Sequence, residues 1–428
     1  MKVKYIYSAC IEIDCDGFKI LTDPWFSQGV YDGSWYHYHE IDPFEYIDKP
    51  DIIYISHIHP DHYDPIFLKK LIEKFGEIPI IIPDLDQNYL FFKGKSDGLN
   101  LVPTRHIENT KVEIYIEENF TGSLSDIDSA LLVHDKKNSK TLLNLNDCIF
   151  NQSHVNKINN IISKKNYSID FLALGYTGAG PYPQTYFDPI NQLELLNKEA
   201  DKKKQSFFDR YKKYTETFDA EFNLPFAGEY LLGGKLSKLN NYRGVADAIE
   251  VKGIDEKAII LEVGGSVDLI NKKIDGERLA SYNKEYINER ISNISLNKMD
   301  YESEINIKMD KINFLRLLKN AAIKANLKSE IDFNYNFIFS ILDSDGAVKK
   351  KFGLETESSA ISIFSPDEKI TFKEYSEIII DYRYLYGLLT TIYHWNNAEV
   401  GSQFRTERMP FDNYNTSVQN YLNFFTVA

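Results

Sequence analysis

The stretch "YISHIHPDHYD", residues 54–64, sets three histidines and two aspartates into eight positions of a 428-residue chain that owns only nine histidines. The apolar run "DIIYI" leads into it, and "PIFLKKLIEKFG" follows with apolar residues at helical spacing up to a stop at Gly76. A turn that leaves a strand can aim several side chains at one point. Neutral imidazole and carboxylate are the usual ligands of zinc, iron and manganese. His57 and His59 are therefore expected to converge on one metal, with Asp61 and His62 placed for a second. Asp61 is expected to serve as ligand or as base on a bound water.

Composition narrows the class of protein. A hydrophobic fraction of 43% with 14% aromatics describes an ordered globular chain. A formal charge of −14 argues against nucleic acid as a partner and leaves a small-molecule substrate, anionic or not, open. Cys10, Cys15 and Cys148 lack the paired spacing of a disulfide framework or a thiolate metal site, which points to a reducing, cytoplasmic setting. No run approaches the roughly 18 apolar residues that a membrane span needs, so no membrane partner is expected.

From residue 1 to about 150, strand-length runs such as "VKYIYSACIEI", "FKILTD", "IPIIIPD" and "SALLVHD" alternate with turns. Helical stretches follow near 155–164 and over 188–216, with "DFLALGYTG" between them as a strand. This order predicts a layered sheet with helices outside. The tail adds "FNYNFIFSILDS", "ISIFSPDEKITF" and the aromatic stretch "IDYRYLYGLLTTIYHWNNAEVGSQF". Two regions are expected: 1–265 as the metal-binding catalytic domain, and 266–428 as an α+β accessory region serving as lid, substrate wall or dimer surface.

With "LTDPW" upstream, "SHIHPDHYD" resembles the metallo-β-lactamase superfamily. The resemblance implies an α/β fold, an αββα sandwich with the metal site at one edge. "DIDSALLVHDKKNSKTLLNLNDC", "GYTGAGPYPQTYF" and "NLPFAGEY" extend it toward the catalytic domain of CMP-N-acetylneuraminate hydroxylase and toward lactonase-like relatives. It implies Asp147, in "LLNLNDC", as the bridging metal ligand. The superfamily's third and late histidines have no counterpart in "IEENFTGSLSDIDSA" or "LPFAGEY". Glu117, Glu118, Asp126 and Asp128, or His106 and His134, are the substitutes considered. A ligand set rich in carboxylates suits two divalent metals, with iron ahead of zinc or manganese.

The resemblance therefore implies an oxygenase acting on a small polar, amine-bearing or nucleotide-linked substrate. Its partners would be dioxygen and a separate electron donor, because the Rieske module of the hydroxylases is not found in this sequence. The alternatives are a lactonase- or phosphodiesterase-type hydrolase using metal-bound hydroxide, and a non-catalytic binding or scaffold protein. Substrate contacts are expected from Tyr176, Tyr182 and Gln184 of the glycine-rich loop, from Glu229, and from His394, Arg405 and Arg408 of the tail.

Overall fold

The structure, a computed structural model, describes residues 1–121, 127–329, 331–412 and 415–427. Its centre is a pair of sheets. In the first, eight strands lie in the order Lys273–Glu277, Leu261–Asp268, Lys2–Tyr7, Cys10–Cys15, Phe18–Thr22, Ile52–Tyr54, Ile80–Pro83 and Leu101–Thr104. In the second, six strands run Phe222–Phe226, Phe171–Gly175, Lys140–Asn144, Ser129–Asp135, Val112–Glu118 and His106–Glu108. Alternation turns one side of each strand inward, so Val3, Ile11, Ile13 and Ile20 of the first sheet meet Ile114, Leu131, Val133 and Leu142 of the second.

Helices cover both outer faces. Pro65–Phe75 buries Phe67, Leu68 and Leu71 against the first sheet. The 26-residue helix Leu193–Phe218 buries Phe208, Tyr211, Tyr214 and Phe218 against the second. The result is the αββα sandwich of the metallo-β-lactamase fold, with a further α+β region after it.

One local reading of the sequence is corrected. "VKYIYSACIEI" is a hairpin of two strands, because Ser8 takes a left-handed φ of 49° and reverses the chain. "IDYRYLYGLLTTIYHWNNAEV" is a strand end followed by two short helices, Tyr382–Leu389 and Trp395–Val400, with a break at Thr391 (φ 66°).

The C-terminal region forms a mixed five-stranded sheet, ordered Ala360–Phe364, Val348–Glu355, Asn336–Leu342, Tyr375–Asp381 and Arg405–Met409. Phe337, Phe339, Trp395, Tyr421 and Phe425 fill its core, Phe339 stacking on Phe425 with ring centroids 5.2 Å apart. The same apolar cluster takes in Tyr7, Trp25, Tyr31 and Trp35 from the beginning of the chain. The first sheet also runs on to Glu277, past the boundary expected at 265. We propose that the region after it is a packed extension of the sandwich rather than a free-standing unit. No helix among the described residues is long and apolar enough to cross a membrane.

The two regions touch closely at Gly401. Its carbonyl accepts from Ser34 Oγ at 2.6 Å, and a Cβ placed there would lie 2.9 Å from Tyr31 Cβ. Gly401→Ala should therefore lose about 1–3 kcal/mol in urea unfolding through overpacking. An unchanged midpoint would show that this contact is loose.

Candidate metal centre

The turn after Ile52–Tyr54 is held from below by Asp23, a fully buried carboxylate at the end of the neighbouring strand. Asp23 accepts from Ser56 N and Ser56 Oγ, both at 2.7 Å, and lies 3.0 Å from His62 Nδ1. His57 Nδ1 lies 2.9 Å from Ser56 Oγ. The network assigns N–H to both Nδ1 atoms, leaving His57 Nε2 and His62 Nε2 as bare acceptors. His59 is oriented the other way: its Nε2 faces Asn396 Oδ1 at 2.8 Å, so its bare nitrogen is Nδ1.

These bare nitrogens point together. His57 Nε2 and His59 Nδ1 are 2.9 Å apart, and His62 Nε2 is buried with no hydrogen-bond partner. Two imidazole nitrogens at that separation share either a proton or a cation. Each histidine thus has one nitrogen tied to a polar partner and one free, the arrangement found for metal-ligating imidazoles.

Carboxylates complete the cluster. Asp147 Oδ2 lies 3.6 Å from His62 Nε2, and Asp61 Oδ2 lies 3.5 Å from it. Asp128 Oδ1 is 3.9 Å from His57 Nδ1. Asp147 reaches this position because Asn146, at φ 47°, turns the chain as it leaves strand Lys140–Asn144. The Tyr31 hydroxyl donates to Asp61 Oδ1 at 2.5 Å.

The electrostatics agree with a cation site. Burial works against a charge on His62, yet the charges of Asp61, Asp147 and Asp23 raise its pKa well above the ordinary value. Burial opposes ionisation of Asp147 too, and the charge of His62 holds its pKa below the usual range. Burial and the adjacent Asp147 push Asp128 up to about 6. The pocket demands positive charge. A proton on His62 meets that demand in part; a divalent ion would meet it through every free atom just described.

His57, His62 and Asp147 bring one ligand atom each to within 4.8 Å of one another, and His59, Asp61 and Asp128 stand beside them. Asp64, the other aspartate of the opening stretch, caps helix Pro65–Phe75 through Phe67 N at 2.9 Å. Asp126 lies outside the described residues.

The remaining candidates sit elsewhere. His106 pairs with Glu113 at 3.1 Å, and that carboxylate already accepts from Lys165, Tyr115 and Tyr167, so this second histidine–carboxylate group is satisfied without a metal. His134 stacks on Tyr167, with centroids 3.8 Å apart, and bonds Thr141. Glu118 faces Lys157 at 3.6 Å, and the Glu117 carbonyl oxygen lies 3.2 Å from His154 Nε2.

Among the expected substrate contacts, Tyr182 donates to Glu199 at 2.6 Å, and Gln184 donates to the Gly180 carbonyl at 2.7 Å. Arg405 pairs with Glu407 at 2.8 Å, and Arg408 lies over the Tyr186 ring. Glu229 and Tyr176 border a separate small void. Only His394 stands near the cluster: its side chain caps helix Trp395–Val400, whose Asn396 reaches His59.

A cavity of about 130 Å3 opens beside Asp61 and Asp147. Ser8, Trp35, Thr177, Gly178, Phe207, Arg210 and Tyr230 lie in its wall. Asp23, Tyr31 and Arg210 received no role from the sequence, and Asn396 was expected in a substrate wall rather than against His59. Asp23 carried a signal, in "LTDPW", whereas the others come from distant parts of the chain.

Residues 2–140 match the family model described as a beta-lactamase superfamily domain, and this part of the chain carries that domain's fold. Within that class, the chain is 29% identical over 154 residues to the cytidine monophosphate-N-acetylneuraminic acid hydroxylase of Xenopus laevis. That alignment covers 35% of this chain and only 26% of the hydroxylase. A protein of Mycolicibacterium smegmatis described as a Rieske 2Fe-2S iron–sulfur protein is 24% identical over 257 residues, covering 57% of this chain and 47% of that one. A metallo hydrolase from Ignicoccus hospitalis superposes on 62% of this chain and 97% of its own, with 14% identity and a TM-score of 0.42.

His57→Ala and Asp147→Ala should each reduce bound metal at least tenfold, and His134→Ala should leave it unchanged. Elemental analysis of the three variants checks this, and equal metal in all of them would move the site elsewhere.

Glu229 gives a prediction about stability. Burial raises it to about 7 against the opposing charge of Arg278, although Tyr282 donates to it at 2.8 Å. The folded state thus holds a proton that the unfolded state has released, so this group's contribution is full below about pH 4.5 and lost as pH rises through 7. Relative to the wild type, Glu229→Gln should gain stability between pH 5 and pH 8 in urea melts.

Proposed function

We propose that this chain is a metalloenzyme whose His57, His59, Asp61, His62, Asp147 and Asp128 hold two divalent metal ions beside a substrate cavity. The observation that carries this reading is the convergence of three imidazoles and three carboxylates on one small, largely buried volume. The scaffold alternative loses support from the same observation, since a chain with no use for metal gains nothing from crowding these imidazoles and carboxylates together.

Hydroxylation of a small polar substrate is the reaction we favour. Its support is twofold: hydroxylases recur among the similar proteins, and the ligand set is as rich in carboxylate as in imidazole, which suits iron. Bound iron would supply dioxygen activation, with electrons from a separate donor protein. The chain's own residues do the rest. Asp23 and Ser56 fix the ring planes of His57 and His62, Asn396 fixes His59, and Tyr31 holds one oxygen of Asp61 so that the other faces the cluster. Trp35, Tyr230 and Phe207 line the cavity and restrict water there.

One observation favours a hydrolase instead: Asp61 itself lines the cavity, where a carboxylate can take a proton from water.

Metal analysis of the purified protein together with oxygen uptake separates the two. Near-stoichiometric iron with substrate- and reductant-dependent oxygen consumption is expected, and both should be lost in His59→Ala. Zinc at full occupancy with no oxygen uptake would replace the hydroxylase reading by the hydrolase one.

A further inference from the structure

One part of the cavity wall is cationic in a way the metal site does not explain. Lys203, Phe207 and Arg210 follow one another at spacings of four and three on the helix Leu193–Phe218, so they share one face. That face lies along the loop Thr177–Gly178–Ala179. Gly178 has no room for a side chain, since a Cβ would come 1.8 Å from the Phe207 ring. Arg210 stacks on Phe207, with its guanidinium carbon 4.3 Å from the ring centroid, and it lines the cavity.

Among the described residues Arg210 makes no hydrogen bond and no ion pair. It stands near Asp147, since the position of a Cβ on Gly175 is 3.9 Å from Arg210 Nη2 and 4.0 Å from Asp147 Oδ1. An arginine recruited to neutralise that carboxylate would take it in a bidentate pair. Here the pair is not made.

Among the described residues the neighbouring cations also lack carboxylate partners. Arg243, 3% exposed, stacks on the cavity residue Tyr230 at 4.3 Å and leaves Nη1 without a partner. Lys203 donates to the Tyr182 carbonyl, at 2.9 Å, and burial with the charge of Arg243 pushes it down to about 7. In a chain with fourteen excess negative charges, three half-buried or buried cations without carboxylates are a costly arrangement unless an anion joins them. The backbone N–H groups of Gly178 and Ala179, in the same wall, donate to no acceptor among the described residues, and such successive amides suit an anion.

We propose that Arg210, with the Gly178 and Ala179 amides, binds an oxyanion group of the substrate, a carboxylate or a phosphate, and that Arg243 and Lys203 supply the supporting positive field. This deepens the metalloenzyme reading and rests on its assignment of Asp61 and Asp147 to the metal-bearing wall. The substrate class is then a small anion held at one end by Arg210, with its reacting atom toward the metal cluster. A volume of about 130 Å3 accepts the anionic group and its first few atoms, and the remainder of a larger substrate would pass out through the mouth.

Titration calorimetry of the full-length protein with inorganic phosphate and, separately, with acetate tests this, metal content being measured on every sample. Saturable binding of at least one anion is expected, weakened at least tenfold in Arg210→Gln, with Arg210→Lys between the two and metal content equal in all three. The better-bound anion decides between phosphate and carboxylate. His59→Ala should lose metal yet keep Arg210-dependent anion binding, so failure of the metal reading and failure of this one are distinguishable. Affinities equal in wild type and Arg210→Gln, or no binding at tens of millimolar, would overturn the proposal. A loss of metal from Arg210→Gln with anion affinity retained would do so too, making Arg210 a counter-charge to the carboxylates.

Discussion

The buried carboxylate of Asp23 is the constraint on which the site depends. It has lost its water and recovers hydrogen bonds from Ser56 N, Ser56 Oγ and the His62 ring. Three bonds to one side chain lock the first residues of the turn, and everything downstream inherits their direction. His62 must present Nε2 to the cavity, and His57, tied through the same serine, must do likewise. Without Asp23 the turn would keep its histidines but lose the reason they face one another.

The second constraint is charge. Asp61 and Asp147 lie close to His62 Nε2, and Asp128 lies beside His57, in a part of the protein largely closed to water. Such a cluster is unfavourable as it stands, and its cost is offset only by a cation. The backbone shares in this. Ser8, Asp23, Tyr31, Asn146 and Ala227 all lie at positive φ and all border the site or its cavity, and non-glycine residues in that conformation each cost energy that the surrounding packing must supply. The left-handed turn at Ser8 brings that residue to the cavity wall, and the one at Asn146 delivers Asp147.

What could be read from the sequence was local. The spacing of His57, His59, Asp61 and His62 carries its meaning within six residues, and the cap and stop of the following helix are equally short-range: Asp64 and Pro65 begin it and Gly76 ends it. The alternation of apolar residues predicted a layered sheet with helices outside, and the resemblance carried by "LTDPW" and "SHIHPDHYD" implied the two-sheet sandwich. Asp128 was one of several acidic candidates, and only the pairing of strand Ser129–Asp135 with its neighbours shows why it, rather than Glu117 or Glu118, reaches the cluster. Side chains from distant segments left no such signal. Asn396 is 337 residues from His59, and a hydrogen bond over that interval has no periodicity to betray it. Arg210 read as one charge among many on a lysine-rich helix. Its burial against Phe207 is a property of the packed helix face, not of its neighbours in sequence.

The late contacts change how the C-terminal region is to be understood. Gln403 donates to the Tyr31 carbonyl at 2.7 Å, Tyr384 donates to Asp32 at 2.6 Å, and Asn396 bonds His59. Tyr31 in turn holds Asp61. Two of the proposed ligands therefore owe their orientation to residues beyond 380, one directly and one through Tyr31. A sandwich lacking that region would retain the Asp23 network and the motif histidines, but His59 would be free to turn its ring and Asp61 to change its rotamer. On this geometry the proposed metal centre belongs to both regions of the chain at once, which would tie metal affinity to the packing of a sheet that contributes no proposed ligand.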